Sequence, residues 1–316
     1  MNSKLSLRIA GTGSAAPDRI VSNSELCTKA PTTPMWIEQN LGIFERRIAS
    51  DNEFTSDLAA KAGLRAIEAA GISVQDVQLI IVATATPDRQ SPSTACIVQE
   101  KMGIQNYCPA FDLSAVCSGF LYGLTVGSQF IQSGQYKNVL IIGADTFSKI
   151  TDWTRRDCVF FGDGAGAVLL QPSKDPQALF SFDLFSDGKG QDNFTVFRGD
   201  QYFTMNGKAV YETGTAVLPI AIKTLLEKNF LKVSDVSCLI PHQPSIRVLQ
   251  KTAELVGLPF EKVKRNMHLY ANTASATIPL LLDEVVRRGE ISNGDLIAFA
   301  AVGSGWTWGS ALYRWH

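Results

Sequence analysis

One cysteine in this sequence stands where an apolar strand is expected to run into a helix. Residues 111–120 pass from apolar side chains through small ones to Cys117 and its following helix. On the first turn of a helix, free backbone N–H groups and the positive end of the helix dipole favour a thiolate. The sequence therefore predicts a nucleophilic cysteine, although a lone cysteine at such a junction is also often a small packing residue.

Two polar residues follow predicted elements in the second half of the chain. His242 ends the strand predicted over 235–240, and Asn272 precedes a further predicted helix. Ligands and chemistry in parallel α/β sheets gather at the carboxyl ends of strands, so these side chains are expected to converge with Cys117. The three residue types indicate acyl-thioester chemistry on the cysteine. A hydrolytic cysteine triad also pairs His with Asn, so the residue types alone leave that reaction open.

The elements that must position these residues alternate between strands and helices. Periodicity predicts, in order, a strand over 5–10, a helix over 56–70, a strand over 76–84, a helix over 94–102, the strand before the cysteine, a helix ending at Gly134 and a strand over 138–143. Such alternation is typical of a parallel sheet covered on both faces. The stretch 185–212 breaks the pattern and is predicted to be an inserted loop that covers a substrate channel.

The second half of the chain repeats the first. Its predicted elements are a helix over 216–229, a strand over 235–240, a helix over 246–256, the segment 267–273 as counterpart of the cysteine strand, a helix ending near Gly289 and a strand over 295–299. Superposing the halves places Asn272 beside the position of Cys117. We therefore predict an α/β fold of two similar halves, 1–172 and 173–316, in which a pseudo-dyad brings these two residues together.

Composition and charge disfavour several classes of function. The 316 residues include 29 basic and 30 acidic ones, so no global field attracts nucleic acid or an anionic membrane. No apolar run approaches the ~20 residues that span a bilayer, and the first residues lack the apolar core of a signal peptide. The six cysteines form no CxxC pair and the three histidines show no metal-ligand spacing. The sequence predicts a cytoplasmic protein without a metal site.

Two glycine-rich stretches could suggest nucleotide binding. Residues 11–16 nearly spell a dinucleotide fingerprint, but Pro17 follows at once and no helix opens there, so a turn is predicted. Residues 162–166 lack the Lys and Ser/Thr of a phosphate loop and are predicted to form a close-packed turn. A nucleotide-binding oxidoreductase is therefore disfavoured.

Ordered motifs over the whole chain resemble the 3-oxoacyl-[acyl-carrier-protein] synthase III family of thiolase-like condensing enzymes. The matching pieces are Trp36-Ile37 with Gly42-Ile43 and Arg46, Asp112 to Phe120, Phe161 to Gly166, Pro241-His242-Gln243, Tyr270 to Thr273, and Gly305 to Leu312. The resemblance implies an αβαβα layered sandwich and a decarboxylative Claisen condensation. An acyl group would move from coenzyme A to Cys117, and malonyl on a carrier protein would lose CO₂ and attack it. His242 and Asn272 would donate hydrogen bonds to the malonyl thioester oxygen.

The resemblance also implies the residues that bind the substrates. Backbone N–H groups of Cys117 and Ser304 would form the oxyanion hole. Trp36 would stack on the adenine of coenzyme A, and the rest of that channel would be lined by Thr32, Arg155, Gly207, Tyr211 and Arg247. No permanently bound cofactor is implied, because coenzyme A enters as a thioester substrate. The implied partners are acyl-CoA, malonyl-acyl carrier protein and a second copy of the chain in a homodimer.

Several positions depart from the family's pattern. Asn40 and Ser245 replace an Arg and an Asn that contact coenzyme A. Residues 303–306 read Gly-Ser-Gly-Trp in place of Gly-Gly-Gly-Phe, and Val302 stands at the acyl pocket where Phe is usual. Many relatives carry, at the position of Ser91, a Phe that reaches across the dimer to cap the acyl pocket. Because a serine leaves that volume unfilled, acyl chains longer than acetyl are expected.

The expected docking surface for the carrier protein also departs from the family. Arg247 and Lys251 keep their positive charge, whereas Glu212 and Glu254 stand where relatives tend to be basic. These departures predict a specialised acceptor.

Two other functions compete with condensation. The first is an acyltransferase that passes the acyl group from Cys117 to an O or N acceptor, and the second is a non-catalytic partner subunit. Asn272 argues against the first, because enolate stabilisation is the step that uses its amide. The presence of Cys117, His242 and Asn272 together argues against the second.

Overall fold

The computed structural model describes residues 6–197 and 199–316, which form two mixed sheets with helices on their faces. The strands are β1 Ser6–Ala15, β2 Ile20–Ser22, β3 Glu45–Arg47, β4 Leu79–Ala83, β5 Ala110–Leu113, β6 Val139–Asp145, β7 Gly164–Ser173, β8 Phe180–Ser186, β9 Phe194–Thr195, β10 Thr204–Met205, β11 Cys238–Pro241, β12 Leu296–Gly303 and β13 Thr307–Arg314. The helices are α1 Asn23–Leu26, α2 Pro34–Leu41, α3 Thr55–Ala69, α4 Thr94–Lys101, α5 Gly119–Gln132, α6 Gly207–Lys228, α7 Ile246–Val256, α8 Met267–Tyr270 and α9 Thr277–Arg287.

The first sheet has the strand order β1-β7-β6-β4-β5. Strands β4, β5 and β6 are parallel, and every residue of β4 and β6 is buried, as their apolar sequences predict. Strands β7 and β1 run antiparallel to their neighbours, so the prediction of a purely parallel sheet is wrong. Only short 3₁₀ turns join β6 to β7, and without a crossover helix the chain returns antiparallel.

The second sheet has the order β11-β12-β13-β8 and follows the same directions as the first. β11 and β12 are parallel, and β13 and β8 are antiparallel to their neighbours. The counterpart of β5 is reduced to one bridge between Leu239 and Val263. The strand predicted over 267–273 is wrong, because α8 occupies its first part. The Gln243 side chain accepts the N–H groups of Asn266 and Met267 at 2.9 and 3.0 Å, which satisfies the start of that short helix.

The layers are stacked in the order α3 and α4, first sheet, α5 and α9, second sheet, α6 and α7. The two central helices contact both sheets, and one apolar cluster joins them to residues from each sheet. This is the αβαβα layered sandwich that the resemblance implies. It places the helices that follow Cys117 and Asn272 side by side at the centre of the molecule.

The glycine stretch near the start of the chain is a strand and not the predicted turn. β1 continues to Ala15 and pairs with β7. A Cβ at Gly11 would lie 2.2 Å from the Ala66 carbonyl oxygen, and one at Gly13 would lie 2.3 Å from that of Ala62. These glycines let α3 pack directly on β1, so their small size serves packing.

Two further predictions about glycines and loops need correction. Residues 162–166 are close-packed as predicted, but β7 begins at Gly164, so most of the predicted turn is strand. The predicted loop over 185–212 is shorter than expected, because β8 reaches Ser186 and α6 begins at Gly207. Among the described residues, no helix is both long and apolar enough to cross a bilayer.

Candidate active site

Cys117 lies on a 3₁₀ turn, Val116–Ser118, between β5 and α5. Val116 has a positive φ of 47°, and this tight turn carries the chain from the edge strand into the central helix. The thiol opens onto a cavity of about 320 Å³. Its lining residues are Trp36, Asn40, Leu41, Val116, Cys117, Phe160, Phe161, Phe194, Met205, Gly207, Val210, Tyr211, His242, Pro244, Ser245, Arg247, Val248, Asn272, Val302, Gly303, Ser304 and Trp306.

The structure brings Cys117, His242 and Asn272 to this one cavity. His242 follows β11, and its N–H donates to the Ala300 carbonyl of β12 at 2.8 Å. Asn272 follows α8, and its N–H donates to the Phe160 carbonyl at 2.9 Å. The backbone of each residue is thus fixed by a hydrogen bond to a neighbouring segment.

The side-chain amide of Asn272 has a defined orientation. Its Oδ1 accepts the N–H of Ala274 at 2.8 Å, so its NH₂ group is the part left to donate. That group acts to lower the pKa of the Cys117 thiol. Asn272 therefore presents a donor, not an acceptor, to whatever occupies the space beside the cysteine.

The imidazole of His242 is uncharged at neutral pH. Burial lowers its pKa from 6.5 to about 3, and the ring has no carboxylate partner among the described residues to oppose this effect. The Nδ1 atom of His242 is buried and has no hydrogen-bond partner among the described residues. An unpaired lone pair on Nδ1 costs less than an unpaired N–H there, so the proton is expected on Nε2, which can donate into the cavity.

The thiol of Cys117 does not rest as a thiolate, contrary to the expectation from its place at a helix start. Burial raises its pKa, and the negative charge of Asp145 raises it further. The backbone N–H of Cys117 and the amide of Asn272 act in the opposite direction but do not outweigh burial. The resting side chain of Cys117 is therefore a protonated thiol.

Asp145, at the end of β6, is a buried carboxyl group that the sequence analysis missed. It accepts hydrogen bonds from Thr84, Ala85 and Thr86 after β4 and from Ser275 before α9. These contacts tie the turn that follows Asn272 to the first half of the chain. Its position could have been noticed in the sequence, because it is an acidic residue at the end of an otherwise apolar strand.

The predicted oxyanion hole is sterically compact. A Cβ at Gly303 would lie 3.0 Å from the backbone nitrogen of Cys117, so the segment that carries Ser304 passes directly beside that N–H. The Ser304 hydroxyl donates to the Phe194 carbonyl at 2.6 Å, which leaves its backbone N–H as the group for an oxyanion. Val302, the predicted acyl-pocket residue, also lines the cavity.

The cavity is lined by most of the residues predicted to bind coenzyme A. Trp36, Gly207, Tyr211 and Arg247 line it. Arg155 does not, because its guanidinium pairs with Asp157 and donates to the Phe203 carbonyl. The next residue, Arg156, lies over the Trp36 ring instead, with Cζ 4.3 Å from the ring centroid.

Two other predicted positions lie away from this cavity in the single chain. Thr32 is partly buried and its hydroxyl has no hydrogen-bond partner among the described residues. Ser91 is exposed in the loop before α4, so a place at an acyl pocket requires a second copy of the chain. In residues 6–197 and 199–316, no three His, Cys, Asp or Glu residues are grouped as metal ligands.

Comparisons with known proteins agree with this geometry. Two family profiles match: 3-oxoacyl-[acyl-carrier-protein (ACP)] synthase III over residues 111–188, and the C-terminal part of the same synthase over residues 226–315. A beta-ketoacyl-[acyl-carrier-protein] synthase III from Laribacter hongkongensis is 43% identical over 98% of this chain and 99% of its own length.

Solved structures give the same result. A 3-oxoacyl-[acyl-carrier-protein] synthase III from Aquifex aeolicus superposes with a TM-score of 0.94 at 38% identity, covering 98% of this chain and 100% of that one. The priming beta-ketosynthase of the R1128 polyketide biosynthetic pathway superposes at 0.93 with 30% identity, covering 100% and 98%. With these matches and the converging Cys, His and Asn, the chain belongs to the 3-oxoacyl-[acyl-carrier-protein] synthase III family of thiolase-fold condensing enzymes.

Proposed function

We propose that the chain condenses an acyl group, held as a thioester on Cys117, with a malonyl group on a carrier protein, releasing CO₂ and a 3-oxoacyl product. The observation that carries this proposal is the pairing of a cysteine with two neutral donors, His242 and Asn272, in one cavity. Among the described residues that line the cavity, none is Asp or Glu. Loss of CO₂ generates a carbon nucleophile without a carboxylate base, which suits this set of side chains.

The first stage is transfer of the acyl group from coenzyme A to Cys117. The cysteine sulfur forms a bond to the acyl carbonyl carbon, the bond to the coenzyme A sulfur breaks, and the thiol proton leaves with coenzyme A. Negative charge develops on the carbonyl oxygen beside the backbone N–H groups of Cys117 and Ser304. Fixed donors at that position stabilise the charge without reorganisation.

The second stage uses the two side-chain donors. The electron pair of the bond to CO₂ moves into an enolate, and the thioester oxygen that becomes negative accepts hydrogen bonds from His242 Nε2 and the Asn272 amide. The enolate carbon then bonds to the acyl carbon, and the Cys117 sulfur leaves as a thiolate and takes a proton from water. A neutral imidazole is suited to this task, since it donates without having to lose a charge first.

The pH dependence of this second stage follows from the buried imidazole. Because burial lowers the pKa of His242 to about 3, the ring stays neutral throughout the range above pH 4. The condensation rate of pre-acylated enzyme should therefore not fall between pH 8 and pH 5.5. Single-turnover product formation measures it, with acyl-adduct stability recorded at each pH as control. An acid limb with an apparent pKa near 6.5 that His242→Gln removes would contradict this prediction.

Coenzyme A is proposed to enter at the exposed end of the cavity beside Trp36, a lining residue whose ring lies against Arg156. A planar guanidinium over an indole leaves a flat, cationic site suited to an adenine ring and its phosphates. We expect Arg156→Ala to raise the KM for acyl-CoA about tenfold with a smaller effect on kcat, since roughly 1.4 kcal/mol of ground-state binding is removed.

Arg155→Ala is the matched control for that prediction. Its guanidinium is occupied by Asp157 and the Phe203 carbonyl, so its loss should lower the thermal midpoint while leaving the KM for acyl-CoA within about twofold. A KM that rises with Arg155→Ala and not with Arg156→Ala would restore the assignment made from the sequence.

The proposed homodimer would form at the edge of the first sheet. β5 is the outermost strand there, and within the described part of the chain no strand pairs with its outer edge. Phe111 and Leu113 on this strand are only half-buried, although apolar. A second copy pairing with β5 would cover this edge and bring the loop with Ser91 toward the partner's site.

The carrier protein is proposed to dock around Arg247, on a surface of mixed charge. Lys251 pairs with Glu254 at 3.0 Å and Lys208 with Glu212 at 3.8 Å, so part of the positive charge is already matched within the chain. Exposed pairs of this kind contribute little stability but reduce the field that steers an acidic partner.

The six thiols are all free, which fits the predicted cytoplasmic location.

Intact-mass measurement tests the proposed function. The protein is incubated with a panel of acyl-CoA thioesters and then with malonyl carrier protein, and the adduct and the released product are identified. An acyl adduct that converts to a 3-oxoacyl product with loss of CO₂ is expected. An acyl group recovered instead on an O or N acceptor would point to plain acyl transfer.

A further inference from the structure

Hydrogen bonds join the segment 187–195 to the turn 303–306 near Cys117. The backbones of Asp187 and Trp306 exchange two hydrogen bonds, at 2.9 Å and 2.6 Å. The Ser304 hydroxyl adds a third contact at 2.6 Å to the carbonyl of Phe194. These contacts join the segment to the same turn that supplies the predicted oxyanion N–H.

The indole of Trp306 is packed against Gly190 without any free space. A Cβ at Gly190 would lie 2.1 Å from the indole Cδ1 and 2.4 Å from Nε1. Trp306 is only 9% exposed, and it lines the cavity that holds Cys117. The glycine is thus the residue that lets a ring of this size lie flat between the segment and the cavity.

Phe194, carried by the same segment, belongs to a packed group of phenylalanines at the closed end of the cavity. It stacks on Phe203 with centroids 5.2 Å apart and meets Phe161 edge-on at 5.9 Å. Phe161 in turn stacks on Phe147 at 4.6 Å. This group packs against Val116 and Cys117, whereas Trp36 and Arg247 lie at the other, exposed end.

We propose that Phe194 is the residue that limits the length of the acyl group, and that Ser304 and Trp306 are positioning residues that hold it there. The proposal rests on the proposed function, since it assigns the closed end of the cavity to the acyl chain. The residue that limits acyl length would then belong to the same chain as Cys117. The two positioning residues are the two places where residues 303–306 depart from Gly-Gly-Gly-Phe, and each contacts the segment 187–195 through the side chain that the family pattern lacks.

The physical reason is the rigidity of a packed aromatic wall. An acyl chain that reaches the Phe194 ring extends further only if that ring moves, which would break its stacking on Phe203. The Ser304 hydrogen bond to the Phe194 carbonyl holds the backbone that carries the ring. Each extra methylene that a pocket cannot accept changes the rate ratio by about 10-fold or more. A glycine at 304 could not make this hydrogen bond, so the wall would be held only through the backbone of Asp187 and through Trp306.

The experiment compares kcat/KM for acylation by octanoyl-CoA and by butyryl-CoA. Phe194→Ala is expected to raise the octanoyl-to-butyryl ratio at least about tenfold, because it removes the wall. Ser304→Ala keeps the backbone N–H and should raise the same ratio about threefold. Phe194→Leu serves if the alanine variant does not fold, and thermal midpoints are recorded for all variants.

A pair of substitutions tests the contact between Gly190 and Trp306 directly. Gly190→Ala should change the ratio at least threefold, because the added methyl must displace the indole. Adding Trp306→Phe should return the ratio toward the wild-type value, since a smaller ring leaves room for the methyl. Gly188→Ala, where a Cβ has nothing within 4 Å, is the matched control and should leave the ratio unchanged.

The outcomes separate this proposal from the function on which it rests. Wild-type protein that forms no acyl adduct with any donor overturns the proposed function. If acyl adducts form normally but the octanoyl-to-butyryl ratio does not change in the Phe194, Ser304 and Gly190 variants, only the proposed wall is overturned. The proposed wall is also overturned if the octanoyl-to-butyryl ratio changes only in proportion to the loss of thermal stability and Trp306→Phe does not restore it in the Gly190→Ala variant.

Discussion

Cys117→Ala is expected to form no acyl adduct with any acyl-CoA and to lose condensation activity by more than about 10³-fold. Cys117 is the one cysteine among the described residues that line the cavity, and Gly303 lies close to its backbone nitrogen. Without that sulfur the acyl group has no covalent attachment next to His242 and Asn272. Intact mass after incubation with acyl-CoA, followed by a product assay with malonyl carrier protein, measures both effects.

Cys96→Ala is the matched control for this experiment. Cys96 is exposed on α4, so it is the thiol most open to adventitious acylation. Its removal should leave the adduct and the rate unchanged. An adduct of wild-type size on Cys117→Ala, lost only when Cys96 is also replaced, would move the acyl group to the surface and reject the proposed mechanism.

The fold was largely predictable because its central elements have simple sequence patterns. β4 and β6 are continuous apolar runs, and α3 and α7 show helical periodicity, so each was predicted within a few residues. The antiparallel direction of β7 was not predictable from residue types, because it depends on the 3₁₀ connection after β6. Two glycine stretches were wrongly predicted to be turns. The glycines of β1 permit close packing with α3, and those of β7 begin a strand.

The site was predictable in its residue types and less so in its details. Cys117, His242 and Asn272 each follow an element whose end could be located, so their convergence was predicted before any resemblance. The resemblance implied Arg155 for the coenzyme A channel, whereas Arg156 lies over the Trp36 ring. Neighbouring positions at a 3₁₀ turn point in different directions, and only coordinates show which one meets Trp36. The raised pKa of Cys117 depends on burial by distant segments, which no local pattern reports.

Asn272→Ala is expected to separate the two half-reactions. The acyl adduct on Cys117 should still form, because the oxyanion hole proposed for it consists of backbone N–H groups. Condensation should fall by about 10²- to 10³-fold, since one fixed donor to the enolate oxygen is lost. Rapid-quench mass spectrometry of the adduct, followed by release of ¹⁴CO₂ from labelled malonyl carrier protein, measures the two stages separately.

Asn272→Asp gives the sharper form of the same test. The aspartate has nearly the same size and can still accept the Ala274 N–H at Oδ1, but its second oxygen cannot donate as the amide does. A carboxylate beside a developing enolate is also repelled, so decarboxylation should fall at least as far as in Asn272→Ala while acylation is retained. If Asn272→Asp condenses at the wild-type rate, the amide is not the enolate donor. If both variants lose acylation in the same proportion as condensation, Asn272 acts by holding Cys117 in place, and His242 alone would remain as the donor for the second stage.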